Sequence, residues 1–328
     1  MRSPDLEPAA FYCVADAGYF VGAVGLVNSL RLIGHDEPIY LLDCGLEPAQ
    51  RELLAAEATL LEGPGDAPPW LLKTIAPLRH PARVMVLIDA DMVVTRSLAP
   101  LIEHAASGRV VAFRNDTDRF VPEWGELLDL GEVRRAPYVS SGLVLCGGPF
   151  GRQVLELLDD RQRRVDVERG FYGSRDPDYP FTYPEQDVLN AILATRPDPA
   201  PIDRLDGRLA AVPPYTRLWV RDEATLRTAY RDGTEPYVLH QFVRKPWLEP
   251  MHHSVYSRLL ARLLLGEDVA VRIAERDVPR RMRRGARARL ERFAVDVRDL
   301  SRWYVTEVFP RWVGTRVGAL RRRVSGGR

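Results

Sequence analysis

Along the first half of the chain, short uninterrupted apolar blocks alternate with longer segments whose apolar residues recur every three or four positions. FYCVAD (Phe11 to Asp16), IYLLD (Ile39 to Asp43), VMVLIDAD (Val84 to Asp91) and VVAFRND (Val110 to Asp116) read as strands. Between them, FVGAVGLVNSLRLIG closes on Gly34 as a mostly buried helix, EPAQRELLAAE opens a helix with Pro48 in its first turn, and SLAPLIEHAAS forms a third. Strands alternating with helices predict an α/β domain with a mainly parallel sheet flanked by helices. In the second half, YVSSGLVLC (Tyr138 to Cys146) reads as a strand and GRQVLELLDDRQRR as a helix. YPEQDVLNAILATR is a helix opened by Pro184, Asp198 to Trp219 an irregular stretch, YVLHQF a last short strand, and SVYSRLLARLLLG a closing helix.

Composition narrows the class. The 328 residues are 46% hydrophobic, enough for a substantial core, and no window is long and apolar enough to span a bilayer. The amino terminus lacks a basic region followed by an apolar one, so a cytoplasmic protein is expected. Cys13, Cys44 and Cys146 are odd in number and widely spaced, which argues against a disulfide framework and against zinc and reads as core thiols. The net charge of +1 conceals an asymmetry: residues 271–328 carry 17 Arg against 6 acidic residues. Lysine occurs only at Lys73 and Lys245, so the arginine excess is a chain-wide preference and no nucleic-acid partner is expected.

Two carboxylates interrupt the most apolar block, in LIDADMVV. On an extended strand Asp89 and Asp91 share a face, and at the carboxyl end of a sheet strand they lie where open α/β sheets bind ligands. Two unpaired carboxylates there repel each other, a cost that a divalent cation reverses, and hard oxygen ligands suit Mn2+ or Mg2+. The bland alternative is that both merely cap the following loop. No GxGxxG follows the first strand, so the ordinary dinucleotide fingerprint is absent.

Two families place such a pair at a strand end. DADMV satisfies the short signature of haloacid-dehalogenase-like phosphohydrolases, with Asp89 as nucleophile and Lys245, Glu267 and Asp268 as partners, although strands precede it here. The ordered series FYCVADAGYFVGAVGLVNSL, LIDADMVV, YVSSGLVL, EQDVLN and LHQFVRKPW, over about residues 10 to 250, resembles glycosyltransferase family 8. That resemblance implies a GT-A, Rossmann-like fold and transfer of a sugar, with retention, from a nucleoside diphosphate sugar, a UDP-sugar being expected. It implies Asp89, Asp91 and His240 as metal ligands, with Gln186, Glu185 and Asp187 beside the reacting sugar. It places Ala15, Asp16, Tyr19, Lys73, Ala90, Ser140, Ser141 and Lys245 around the donor. Ser140 stands where the family has asparagine, Glu185 where it has aspartate, and HQFVRKPW is one residue shorter than the family's final motif and lacks its glycine.

The organisation expected is a catalytic domain over residues 9–265 and a basic helical tail over 266–328. In the tail, Ala286, Leu290, Phe293, Val297, Leu300, Tyr304 and Val308 fall on one helical face among arginines, and Pro310 stops it. The face suits packing on the body, a homodimer, or an anionic membrane surface bound through residues 281–328, which would place the protein peripherally on the inner face of the cell membrane. The acceptor would be a glycan, lipid or protein. A non-catalytic nucleotide-sugar-binding scaffold at the membrane is the non-enzymatic alternative.

Overall fold

The computed structural model describes residues 6–65, 67–195, 201–249 and 254–303. Its strands are β1 (Ala9–Ala15), β2 (Ile39–Asp43), β3 (Thr59–Glu62), β4 (Val84–Ile88), β5 (Met92–Val94), β6 (Val110–Arg114), β7 (Val139–Gly147), β8 (Ile202–Leu205), β9 (Ala210–Ala211), β10 (Leu218–Asp222), β11 (Arg227–Tyr230) and β12 (Val238–His240). The α-helices are α1 (Phe20–Leu32), α2 (Pro48–Leu54), α3 (Ile75–Arg79), α4 (Ala99–Ala106), α5 (Trp124–Leu127), α6 (Gly148–Gln162), α7 (Pro184–Ala194), α8 (Val255–Leu265) and α9 (Ala286–Trp303).

Seven strands form the central sheet in the order β3-β2-β1-β4-β7-β6-β8. Most neighbours are parallel, but β7 runs antiparallel to both β4 and β6. The unbroken apolar run of β4 follows from burial on both faces. Val84, Val86 and Ile88 enter the core layer that holds α1 and α8, whereas Met85 and Leu87 enter the layer of α6 and α7. Of the three cysteines, all free, Cys13 and Cys146 lie in these cores and Cys44 is half-buried.

The sequence pattern predicts a strand continuing through Asp89 and Asp91, but β4 ends at Ile88. Its ladder to β7 ends where the Asp89 amide donates to the Gly142 carbonyl at 2.9 Å, and the chain then turns, the Met92 amide donating to the Asp89 carbonyl at 3.1 Å. Strand β5 leaves the sheet and pairs antiparallel with β12 in a separate three-stranded sheet β5-β12-β9, with Met92 opposite His240. The Gln241 amide closes on the Asp91 carbonyl at 3.0 Å. The departure from the sheet is therefore what brings His240 to the two aspartates.

The stretch read as irregular contributes β8 to the central sheet and β9 to the small one, and β10 and β11 form a hairpin absent from the sequence reading; Asp198 to Ala200 lie outside the described residues. The sequence beyond α8 first returns to the body. Val269, Val271, Val278 and Met282 are buried in its core, and the Asn28 side chain binds the Val271 amide at 2.7 Å and the Leu263 carbonyl at 2.9 Å. Helix α9 then leaves it, with Leu290, Phe293 and Val297 exposed. Tyr304, Val308 and Pro310 lie outside the described residues.

Candidate functional site

At the carboxyl end of β4, Asp89, Asp91 and His240 offer ligand atoms that all lie within 4.8 Å of one another. His240 Nε2 stands 3.5 Å from Asp89 Oδ2 and 3.2 Å from Asp91 Oδ1. The other oxygen of each aspartate is taken by a lysine. Lys73 Nζ lies 2.6 Å from Asp89 Oδ1, and Lys245 Nζ is paired with Asp91 Oδ2. The two lysines of a chain otherwise restricted to arginine thus hold the outer oxygens of the two aspartates, leaving the inner ones facing the imidazole.

Small residues make this convergence possible. A Cβ on Gly142 of β7 would fall 2.5 Å from the His240 ring, and one on Gly22 of α1 would fall 2.5 Å from the Ala90 carbonyl and 2.8 Å from the Trp247 ring. Gly142 therefore admits the imidazole, and Gly22 admits both the aspartate turn and the Trp247 side chain. Lys73 is carried by a segment tied to α6, where Thr74 donates to Asp159 at 2.7 Å and Gln162 donates to the Leu71 carbonyl at 2.7 Å.

The second half of the site comes from α7. Glu185, Gln186 and Asp187 occupy its first helical turn after Pro184, as the sequence pattern predicts. Glu185 Oε2 lies 3.1 Å from Lys73 Nζ and accepts from the Ser141 hydroxyl at 3.1 Å. Gln186 Oε1 accepts from the Ser141 amide at 3.2 Å, and Gln186 Nε2 faces the Tyr138 hydroxyl at 3.1 Å. Asp187 is fully buried and accepts from Tyr138 at 2.6 Å, from Arg119 at 3.1 Å and from the Tyr183 amide at 2.9 Å. Lys73 thus joins the aspartate turn to α7.

The remaining expected residues ring this cluster. Ala15 ends β1 and is buried; Asp16 accepts from the Tyr19 amide at 2.9 Å. The Tyr19 ring meets Trp247 edge-on at 6.2 Å and lies under Lys245 Nζ at 5.5 Å. Trp247 is pinned by its indole N–H to the Gly18 carbonyl at 2.8 Å. Ser140 accepts from the Gly142 amide at 3.3 Å, and Ala90 is buried in the turn itself. Glu267 and Asp268, the acidic pair that a phosphohydrolase would need, lie far along the chain on an exposed surface, and Asp268 pairs with Arg262 at 2.7 Å. Neither joins the Asp89, Asp91 and His240 group.

Electrostatics separates the carboxylates. Burial raises the Glu185 carboxyl to about 6, with Asp89 adding to the shift and Lys73 opposing it. Burial likewise raises Asp187 to about 6 against its hydrogen bonds and Arg119. For Asp91 burial also pushes upward, but His240 and Lys245 together outweigh it and hold the carboxyl well below the usual range. Burial would lower the Lys73 ammonium, and Asp89 and Glu185 overcome it, keeping Lys73 charged.

The residues present fit a divalent cation. Asp91 Oδ1 is buried and receives no hydrogen bond, an arrangement that is costly unless something else occupies that oxygen. Two carboxylate oxygens and one imidazole nitrogen form a donor set suited to Mn2+ or Mg2+.

Sequence reasoning missed Tyr138, Arg119, Trp247 and Gly142. Tyr138 opens YVSSGLVLC, Gly142 lies within it and Trp247 closes HQFVRKPW, so all three stand in segments already singled out, without a role being read for them. Arg119 carries no local signal, because its value comes from a carboxylate 68 positions away.

No family model matches this chain, and no curated protein matches it. Several solved structures are similar to it in fold. The galactosyltransferase LgtC, in complex with donor and acceptor sugar analogues, is 15% identical with a TM-score of 0.48, covering 79% of this chain and 98% of that one. The bifunctional glycosyltransferase WbbM, in apo form, is 12% identical with a TM-score of 0.49, covering 82% of this chain and 51% of that one. The glycosyltransferase GlyE of Streptococcus pneumoniae TIGR4 is 14% identical with a TM-score of 0.39, covering 61% of this chain and 45% of that one.

Proposed function

We propose that this protein is a metal-dependent glycosyltransferase that moves a sugar from a nucleoside diphosphate sugar, in the first instance a UDP-sugar, to a glycan, lipid or protein acceptor with retention of configuration. One observation carries the reading. The inner oxygens of Asp89 and Asp91 and the His240 imidazole converge on one point, and the outer oxygens lead through Lys73 to Glu185 beside Gln186. A cation site and a polar group suited to a sugar are thus joined by one lysine.

Asp89, Asp91 and His240 would hold a divalent ion, which when bound would supply Lewis-acid polarisation of the departing diphosphate. Lys245, next to Asp91, adds a fixed positive charge where phosphate charge grows. Lys73 bridges Asp89 and Glu185, and its charge offsets the repulsion that Glu185 would exert on the phosphates. The Gln186 carbonyl and the Glu185 carboxylate stand on the sugar side, where they stabilise positive charge developing at the anomeric carbon. Ser140 and Ser141 supply hydroxyls to the sugar, and Ala15, Asp16 and Tyr19 form the floor for the base.

The direct test incubates the protein with a panel of nucleotide sugars, with and without Mn2+, and measures slow transfer to water. Mn2+-dependent release of nucleoside diphosphate from one donor supports the reading. Release of phosphate from a generic phosphomonoester, lost in Asp89→Asn, would replace it with a phosphohydrolase.

The tail completes the proposal. Leu290, Phe293 and Val297 form an exposed apolar stripe on α9 within a segment rich in arginine, a combination suited to the surface of an anionic bilayer. Among the described residues no helix is long and apolar enough to cross a membrane. The exposed stripe supports reading the protein as a cytoplasmic enzyme that binds peripherally to the inner face of the membrane.

A further inference from the structure

Three residues beside the proposed reaction centre share their protons in a fixed direction. The Asp187 carboxylate has no proton to give when ionised, and it already accepts from Arg119 at 3.1 Å and from the Tyr183 amide at 2.9 Å. Tyr138 owns a single hydroxyl proton. At 2.6 Å from Asp187 Oδ1, that proton goes to the carboxylate, as a charge-assisted bond requires. The phenol oxygen then has only lone pairs left, so whatever else approaches it must donate. Gln186 approaches it at 3.1 Å and must present its NH2. Its carbonyl oxygen is thereby turned to the opposite side, where the Ser141 amide meets it at 3.2 Å.

We propose that Tyr138 is a positioning residue, which transmits the fixed polarity of Asp187 to Gln186 and so holds the Gln186 carbonyl oxygen toward the donor sugar. The inference rests on the glycosyltransferase reading and deepens it, by making the orientation of one side-chain amide a condition of turnover. An unanchored glutamine amide rotates freely between two orientations, and only one presents a lone pair to developing positive charge; the other presents N–H groups, which repel it. The surroundings of Tyr138 support a fixed geometry. Its ring is buried and packs against Trp124, with centroids 6.5 Å apart and planes inclined by 29°, and Trp124 is in turn anchored to the Pro180 carbonyl that also receives Arg119. The backbone around Gln186 is equally held, since Asn190 exchanges hydrogen bonds with the Val139 backbone and donates to the Gln186 backbone carbonyl at 2.8 Å.

The relay makes an unusual demand on mutants. Asp187→Asn keeps shape but loses one of two acceptor oxygens, since Arg119 and Tyr138 donate to Oδ1 and the Tyr183 amide to Oδ2. With the new NH2 at Oδ1 the phenol proton is displaced toward Gln186, whose amide inverts; with it at Oδ2 the neutral amide oxygen holds the phenol proton less firmly than the carboxylate did. Tyr138→Phe cuts the relay, after which Asp187 no longer influences Gln186. The test is a double-mutant cycle on Mn2+-dependent turnover of the donor by full-length protein, with melting temperatures recorded for each variant. Tyr138→Phe is expected to lower kcat about 100-fold while leaving donor KM within about twofold, since a small misplacement at a reacting centre costs about that much. Asp187→Asn is expected to lower kcat at least about tenfold alone, yet to change it by less than about twofold in the Tyr138→Phe background, the signature of coupling through one residue. Wild-type kcat in Tyr138→Phe, or equal losses from Asp187→Asn in both backgrounds, overturns the inference and leaves the glycosyltransferase reading intact. Absence of wild-type turnover with every nucleotide sugar overturns both. Should Tyr138→Phe fail to fold, the 15N-labelled wild type decides. A nuclear Overhauser contact between the Gln186 NH2 and the Tyr138 ring supports the relay, and one between that NH2 and the Ser141 amide proton overturns it.

Discussion

His240 Nε2 lies 3.2 Å from Asp91 Oδ1, a buried oxygen that receives no hydrogen bond. The pair is held from both sides, by Lys245 on the other Asp91 oxygen and by the pairing of β5 with β12 that sets His240 opposite Met92.

Asp91→Asn keeps the size of the side chain and removes its charge. Calorimetry with UDP and Mn2+ is expected to show at least about a 100-fold loss of metal-dependent affinity, equivalent to roughly 2.7 kcal/mol. Unchanged metal-dependent affinity would remove the aspartate pair from the cation site.

Gly142→Ala tests the packing behind the histidine. The new Cβ would fall 2.5 Å from the His240 ring, so the ring must swing away from the aspartates. Mn2+ affinity is expected to fall about 10- to 100-fold, as for removal of a group that orients a metal ligand. Titration of Mn2+ followed by electron paramagnetic resonance measures it.

The fold and the cluster proposed as the cation site were legible in the sequence for different reasons. Strand β4 announced itself because burial on both faces forces an unbroken apolar run, and α7 because Pro184 opens it. The aspartate pair stood out as charge within that run. What stayed hidden depended on distant partners. The turn at Asp89 to Met92 looks extended in sequence, and only pairing with β12 pulls β5 out of the sheet. Strands as short as β8 and β9 lack a periodic signal, being defined by the neighbours that they pair with. The Tyr138–Asp187 contact spans 49 positions, beyond the reach of any local pattern.

Glu185 and Asp187 give the stability a sign with pH. Both are raised to about 6 in the folded protein from ordinary values of 4.5 and 3.8, so the folded state binds more protons between those limits. Their contribution is therefore full below about pH 4 and declines as pH rises to about 6. Denaturant titration should show Glu185→Gln flattening this decline by on the order of 2 kcal/mol, each pKa unit being worth about 1.4 kcal/mol. An unaltered slope would contradict the burial argument for Glu185.

Because Val278, Met282 and Ala288 are buried, a truncation that tests the tail must begin after them. Removal of residues 289–328 is expected to leave the melting temperature and turnover of a soluble donor unchanged while abolishing cosedimentation with anionic vesicles. Binding by the full chain should weaken as salt rises, since attraction to the surface is screened over about 10 Å at ~0.1 M. Equal vesicle binding by both proteins would exclude α9 and the residues after it from a lipid role.

The central claim, that the aspartates and His240 form the cation site of a sugar-transferring enzyme, is tested most directly by the hydrolysis of nucleotide sugars with and without Mn2+. The account predicts release of nucleoside diphosphate from a UDP-sugar that requires Mn2+ and disappears in both Asp89→Asn and His240→Ala. Metal-dependent binding of nucleotide sugar without turnover would instead make the protein a scaffold, and donor turnover indifferent to Mn2+ and to both substitutions would contradict the account.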